Sequence, residues 1–124
     1  MKTINTTKAP TPIGPYCQAK IYNGTIYMSG QIAINPVNGE LVLDNIEAET
    51  IQVMENIKAV LLEADSSFDK VIKCSIFLSD MNNFGAVNEI YGSYFKANFP
   101  ARECVEVSVL PKNVNVEISV LAAV

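Results

Sequence analysis

Residues Cys17 to Gly30 read CQAKIYNGTIYMSG, two runs of alternating apolar and polar residues joined by Asn23-Gly24. Asn-Gly is the pair that a two-residue type I′ turn favours, because both central positions take positive φ, and a period of two on either side marks half-buried strands. With Asn23-Gly24 as the loop, Tyr22 faces Thr25, Ile21 faces Ile26, Ala19 faces Met28 and Gln18 faces Ser29. One face of this antiparallel hairpin carries Cys17, Ala19, Ile21, Ile26 and Met28. The other carries Tyr16, Gln18, Lys20, Tyr22, Tyr27, Ser29 and Gln31, too aromatic a mixture for a surface that meets only water.

Downstream of the hairpin, GQIAINPVNGELV holds Pro36 and Asn38-Gly39 and reads as an irregular loop. From Asp44 the period changes. Ile46, Thr50, Val53, Ile57, Val60 or Leu61, and Ala64 recur at helical spacing, and Asp44 with Glu47 offers a capping box. The run predicts a helix of about five turns. VIKCSIFL, residues Val71 to Leu78, alternates again and places Ile72, Cys74, Ile76 and Leu78 on one side. After Asp80 a second helix carries Phe84, Val87, Tyr91 and Tyr94 or Phe95 on its stripe. Gly85 and Gly92 each weaken that helix by roughly 1 kcal/mol, a cost that points to close packing.

Two more strands, RECVEVSVL and VNVEISVLA, flank a turn at Pro111-Lys112. Val105, Val107 and Val109 share one face of the first, opposite Arg102, Cys104, Glu106 and Ser108. Val114, Val116, Ile118 and Val120 share one face of the second, opposite Asn115, Glu117, Ser119 and Leu121. A tight turn there puts Glu106 across from Glu117, a like-charge pair that raises the pKa of one member. With a short N-terminal strand at Lys2 to Asn5, the order predicts an α+β domain spanning residues 1–124, both helices on one face of a mixed sheet. Placing the apolar strand faces under the helices turns Tyr16, Ser29, Arg102, Cys104 and Glu117 to the uncovered face or its rim, among Tyr22, Tyr27, Phe77 and Leu121. A closed symmetric assembly is the economical way to bury such a face.

Composition narrows the chemistry. At 124 residues, 49% hydrophobic and 18% charged, the chain is long and apolar enough to bury a core. A net charge of -4 disfavours nucleic acid and anionic lipid as partners. Cys17, Cys74 and Cys104 are odd in number, widely spaced and without histidine, which fits reduced thiols rather than a disulfide framework or a zinc site. No apolar run reaches the ~18 residues of a membrane span, and the start of the chain lacks a signal-peptide run, so the expected location is the cytoplasm. With no histidine anywhere, proton work falls to carboxylates, tyrosine, thiol, lysine or the main chain.

GPY near the start, SGQI after the hairpin, VNEIY in the second helix and FPARECVEVSVLPKNVNVEISVLA at the end together resemble the RidA (YjgF) family of reactive-intermediate deaminases. The resemblance covers essentially the whole chain. It implies a chorismate-mutase-like fold, a homotrimer with three clefts between neighbouring subunits, and no cofactor. The implied reaction is hydrolysis of 2-imino or 2-enamino acids, such as 2-iminobutanoate and 2-iminopropanoate, released by pyridoxal-phosphate-dependent dehydratases, to 2-keto acids and ammonia.

By the same resemblance Arg102 holds the substrate carboxylate, for which its planar fork suits bidentate pairing; its alternative role is a structural salt bridge. Glu117 orients or activates water, or else is a solvated strand residue. Cys104 lies beside the pocket, its carbonyl available to place that water, while a buried cysteine is ordinarily a small hydrophobe without a nucleophilic role. Tyr16 packs on the substrate or hydrogen-bonds it, or else anchors the N-terminal segment. Ser29 and the main chain of Gly30 line the cleft, where the glycine can equally serve strand geometry, and Asn88 stands at the edge of the pocket. Two features depart from the pattern: Asp65 stands where relatives commonly place a glycine at the end of the first helix, and the link into FPAR is short. The competing class is a non-catalytic, metabolite-binding regulatory protein using the same arginine cleft. Ribonuclease and translation-inhibitor descriptions attached to the family fit the acidic charge and missing histidine poorly.

Overall fold

A computed structural model describes residues 1–124. In chain order the elements are β1 (Lys2–Ile4), β2 (Ala19–Tyr22), β3 (Thr25–Gln31), α1 (Ile46–Glu63), β4 (Val71–Leu78), α2 (Phe84–Gly92), β5 (Ala101–Glu106) and β6 (Val116–Ala123). The six strands form one mixed sheet in the order β1-β2-β3-β6-β4-β5, parallel between β4 and β5 and antiparallel elsewhere. Both helices pack on one face, as their spacing predicts. No helix is long and apolar enough to cross a membrane.

The hairpin forms in the expected register, Ala19 opposite Met28 and Tyr22 opposite Thr25, with Asn23 at φ 49° and Gly24 at φ 76°. Its core face meets Val116, Ile118, Val120 and Ala122 of β6 and Cys74, Ile76 and Leu78 of β4. From above, α1 lowers Val53, Met54, Ile57, Val60 and Leu61 onto this layer, and α2 adds Val87 and Tyr91. Complete burial of such side chains contributes on the order of 1.5–3 kcal/mol each, which is what fixes the helix stripes.

Several local expectations give way to tertiary structure. The N-cap of α1 is Asn45, whose Oδ1 accepts from the Ala48 amide at 2.7 Å, rather than Asp44. Ile72 is exposed and Val71 buried, because a bulge between Val71 and Lys73 puts an extra residue on β4 and reverses the alternation. Gly85 and Gly92 have open space where a side chain would stand, so close packing within the chain does not explain them. Tyr16 precedes β2 in a loop rather than extending the hairpin.

The largest correction concerns the last two strands. They are not a hairpin: β4 lies between β5 and β6. Arg102 aligns with Cys74, Cys104 with Ile76 and Glu106 with Leu78, so these β5 side chains share the helix-covered face, while Val105 aligns with Phe77 on the open one. Glu117 also aligns with Phe77. Arg102 and Cys104 therefore point to the opposite side of the sheet from Glu117, and Glu106 does not face Glu117. Glu106 instead accepts the Met81 amide at 2.7 Å. The crossover from β4 through α2 to the adjacent parallel β5 sets this parity, and alternation within β5 cannot reveal it.

Candidate functional site

The predicted residues separate into two groups on the two sides of the sheet. The first group surrounds Arg102. Following Pro100, β5 is an edge strand, and its second residue leans over α2. Arg102 Nη1 donates to Asn88 Oδ1 at 2.7 Å, and the guanidinium carbon lies 5.6 Å from the Phe84 ring centroid and 5.1 Å from that of Tyr91. No carboxylate pairs with it; the ion pair in this chain is Lys73 with Glu103, 3.0 Å apart. Arg102 and Asn88 open into a cavity of about 380 Å³ walled by Tyr91, Phe99 and Pro100.

Cys104 is half-buried against the main core two residues on. Burial pushes its thiol pKa up, and the Arg102 charge offsets this in part. The raised value keeps the thiol protonated and unsuited to nucleophilic attack.

The second group assembles where β3 bulges. Met28 aligns with Val120 and Gln31 with Ile118, so Ser29 and Gly30 together span a single step of β6. The bulge returns Gln31 to the buried face, contrary to simple alternation, and swings Gly30 against Glu117. A Cβ at Gly30 would lie 2.8 Å from Glu117 Cδ, so glycine here makes room for a carboxylate. Ser29 Oγ donates to the Cys17 carbonyl at 2.7 Å. Tyr16, half-exposed, accepts the Ile13 amide at its hydroxyl, 3.3 Å away, so it does brace its own loop. Tyr16, Ser29, Gly30 and Glu117 share a cavity of about 350 Å³ with Ile13 and Ile32.

Desolvation raises the pKa of Glu117 above the ordinary glutamate value of 4.5. The expected direction therefore holds, through burial rather than through Glu106. No cation pairs with it. One cavity thus presents a guanidinium without a carboxylate, and the other a carboxylate without a cation. A third cavity of about 420 Å³, between Thr6, Lys8 and the outer side of α1, contains none of these residues.

Two supporting residues are polar side chains on the buried side of α1. Glu49, fully buried in α1, accepts the amides of Asn115 and Val116 at 2.7 and 3.1 Å and the Asn115 side chain at 2.8 Å, which sets the start of the strand bearing Glu117. Asn56, also buried, donates to the carbonyls of Ile32 and Ile34 at 3.1 and 3.0 Å and fixes the loop wall beside the second cavity. Both fall at helical spacing with the apolar stripe, Glu49 between Ile46 and Val53 and Asn56 between Val53 and Val60, so their inward position is legible while the loop groups they bind are not. Phe84 and Tyr91 are likewise legible as stripe residues; their place beneath Arg102 is not.

The family model described as Endoribonuclease L-PSP matches residues 6–124. A Lactococcus lactis protein described as a regulator, AldR, is 55% identical over 124 residues, covering 100% of this chain and 98% of that one. Human 2-iminobutanoate/2-iminopropanoate deaminase is 45% identical over 121 residues, covering 98% of this chain and 88% of the human protein. The crystal structure of RidA from the Antarctic bacterium Psychrobacter sp. PAMC 21119 superimposes with a TM-score of 0.97 at 37% identity, with each chain covered in full (100%). On sequence and on fold alike, this chain belongs to the YjgF/RidA family, that of the Endoribonuclease L-PSP model.

Proposed function

We propose that this protein is a deaminase that hydrolyses 2-imino and 2-enamino acids, such as 2-iminobutanoate and 2-iminopropanoate, to 2-keto acids and ammonia. The observation that carries the proposal is Arg102, a guanidinium fixed by neutral groups, paired with no carboxylate and open to a cavity. Such a group is a ready anion receptor. Its complement, the unpaired Glu117 beside Gly30 and Ser29, lies across the sheet in the same chain. The site is completed when a neighbouring subunit of a homotrimer brings its Glu117 cavity against the Arg102 edge. No cofactor is invoked.

In the proposed mechanism, Arg102 pairs with the substrate carboxylate and Asn88 keeps the guanidinium in place. The protonated imine is already electrophilic. Glu117 takes a proton from a water as its oxygen attacks the imine carbon, giving a carbinolamine, then returns a proton to the nitrogen. Ammonia leaves as the carbonyl forms, and the hydroxyl proton passes through Glu117 to the departing ammonia, so the products are the keto acid and ammonium. Ser29, Tyr16 and the main chain at Gly30 and Cys104 shape the space around the water. Orientation and one carboxylate-assisted proton transfer suffice for this chemistry, roughly two decades of rate or more coming from the latter. The three free cysteines suit a cytoplasmic setting.

The test is Arg102→Ala assayed on an imine generated from an amino acid, following keto-acid release. Truncating one partner of a desolvated charge pair costs on the order of 2–5 kcal/mol, roughly one and a half to three and a half decades of kcat/KM. Arg102→Lys should recover little because the fork is lost. Parent activity in a folded Arg102→Ala protein rejects the site. The similarity to AldR favours a second reading, a regulatory protein that binds a keto acid or amino-acid metabolite in the same cleft. Saturable keto-acid binding with no acceleration of imine hydrolysis decides for it.

A further inference from the structure

Phe84, Asn88 and Tyr91 fall at i, i+4 and i+7 of α2, on one stripe, and all three meet the Arg102 guanidinium. Each is neutral. A carboxylate at any of these positions would form charge-assisted hydrogen bonds and occupy the fork, as aspartate and glutamate ordinarily do with arginine. An aromatic face attracts the cation through its quadrupole and takes none of its N–H donors. Of the five donors a guanidinium carries, Asn88 engages one at Nη1.

We propose that Phe84 and Tyr91 are positioning residues for Arg102, holding its guanidinium by their ring faces so that the donor fork stays free for a substrate carboxylate. This rests on Arg102 being the carboxylate anchor. The contribution of Tyr91 is its ring and not its hydroxyl. That hydroxyl is buried, makes no regular hydrogen bond, and has the Cys74 thiol as its polar neighbour on the core side. The two rings differ in setting: Tyr91 is 3% exposed and also fills the core, whereas Phe84 is half-buried at the edge of the cluster, which makes Phe84 the cleaner probe.

The experiment measures the Kd of 2-oxobutanoate, a carboxylate that does not turn over, by calorimetry for Phe84→Leu, Phe84→Tyr, Tyr91→Leu, Tyr91→Phe, Asn88→Asp and Arg102→Ala. Each variant is also taken through thermal unfolding and the imine assay. Phe84→Leu should weaken 2-oxobutanoate by about fivefold or more, with the loss in KM rather than kcat. Phe84→Tyr should restore it. Tyr91→Phe, which keeps the ring, should recover binding that Tyr91→Leu loses. Asn88→Asp places a carboxylate 2.7 Å from Nη1 and should abolish binding while Tm holds or rises. A folded Phe84→Leu or Asn88→Asp protein with the parent Kd overturns the proposal; should Phe84→Leu fail to fold, Asn88→Asp decides. Loss of binding in Arg102→Ala but in neither of those variants confines the failure to the ring cradle. Retained binding in Arg102→Ala removes the anchor itself.

Discussion

A Cβ on residue 30 would stand 2.8 Å from Glu117 Cδ and 2.9 Å from Oε2, nearer than real side chains approach. The clash is with the free end of a flexible side chain, so Gly30→Ala should fold with a Tm near the parent's while its Glu117 carboxylate is displaced. A misplacement of about 1 Å can cost up to ~100-fold, and kcat/KM for a 2-imino acid should fall by tenfold or more. Glu117 makes a separate prediction through pH. Its folded-state pKa lies above its unfolded value because burial disfavours the charge, so the stability associated with its protonated form is fully present below pH 4.5 and lost as pH rises through the folded value. Glu117→Gln should therefore match the parent's Tm in acid and exceed it at neutral pH, as measured by thermal melts across pH. The same variant should lose turnover and the acid limb of the pH–rate profile. That Gly30 and Glu117 belong together was legible only as two separate motifs; their contact depends on a bulge of one extra residue in β3, which the glycine of SGQI hints at without naming what approaches it.

Among the elements, the end of α1 is the clearest meeting of sequence and backbone. Asp65 takes φ 55°, the Ser66 amide donates to the Leu61 carbonyl at 2.8 Å and the Asp65 amide to that of Leu62 at 3.0 Å. This is a Schellman stop with Asp65 in the left-handed position, where glycine avoids the Cβ penalty. Asp65→Gly should stabilise the protein by about 0.5–1 kcal/mol with unchanged kcat/KM, readable as a higher midpoint in urea. The hairpin and both helix stripes were also legible, because each is fixed by contacts close in sequence. β5 was not. Its six residues pair with β4 on one side and with nothing on the other, and its alternation is the same whichever face is down.

At the scale of the molecule, one face of the sheet carries the helices and the other exposes Tyr22, Tyr27 and Val105 at 52%, 48% and 43%, beside the unpaired β5 edge with Phe99 at 61%. An apolar face next to an open edge favours association. Light scattering at micromolar concentration should give about three times 13.5 kDa, the mass of one chain. Tyr27→Glu, set in the middle of the open face, should shift the species toward monomer and reduce imine hydrolysis in parallel. An active monomer would contradict a shared cleft, since Arg102 and Glu117 of one chain lie on opposite sides of the sheet.

By itself the sequence determined the turn at Asn23-Gly24, the strand and helix periods, and the residue types available for chemistry in a chain without histidine. These depend on local sterics and on spacing, which a linear string records. Tertiary structure alone decided which face of β5 turns inward, that β4 separates it from β6, and that a bulge brings Gly30 to Glu117. Strand pairing is made between residues far apart in the chain, and a side-chain period of two is unchanged when a strand is turned over, so pattern specifies alternation and packing specifies its sense.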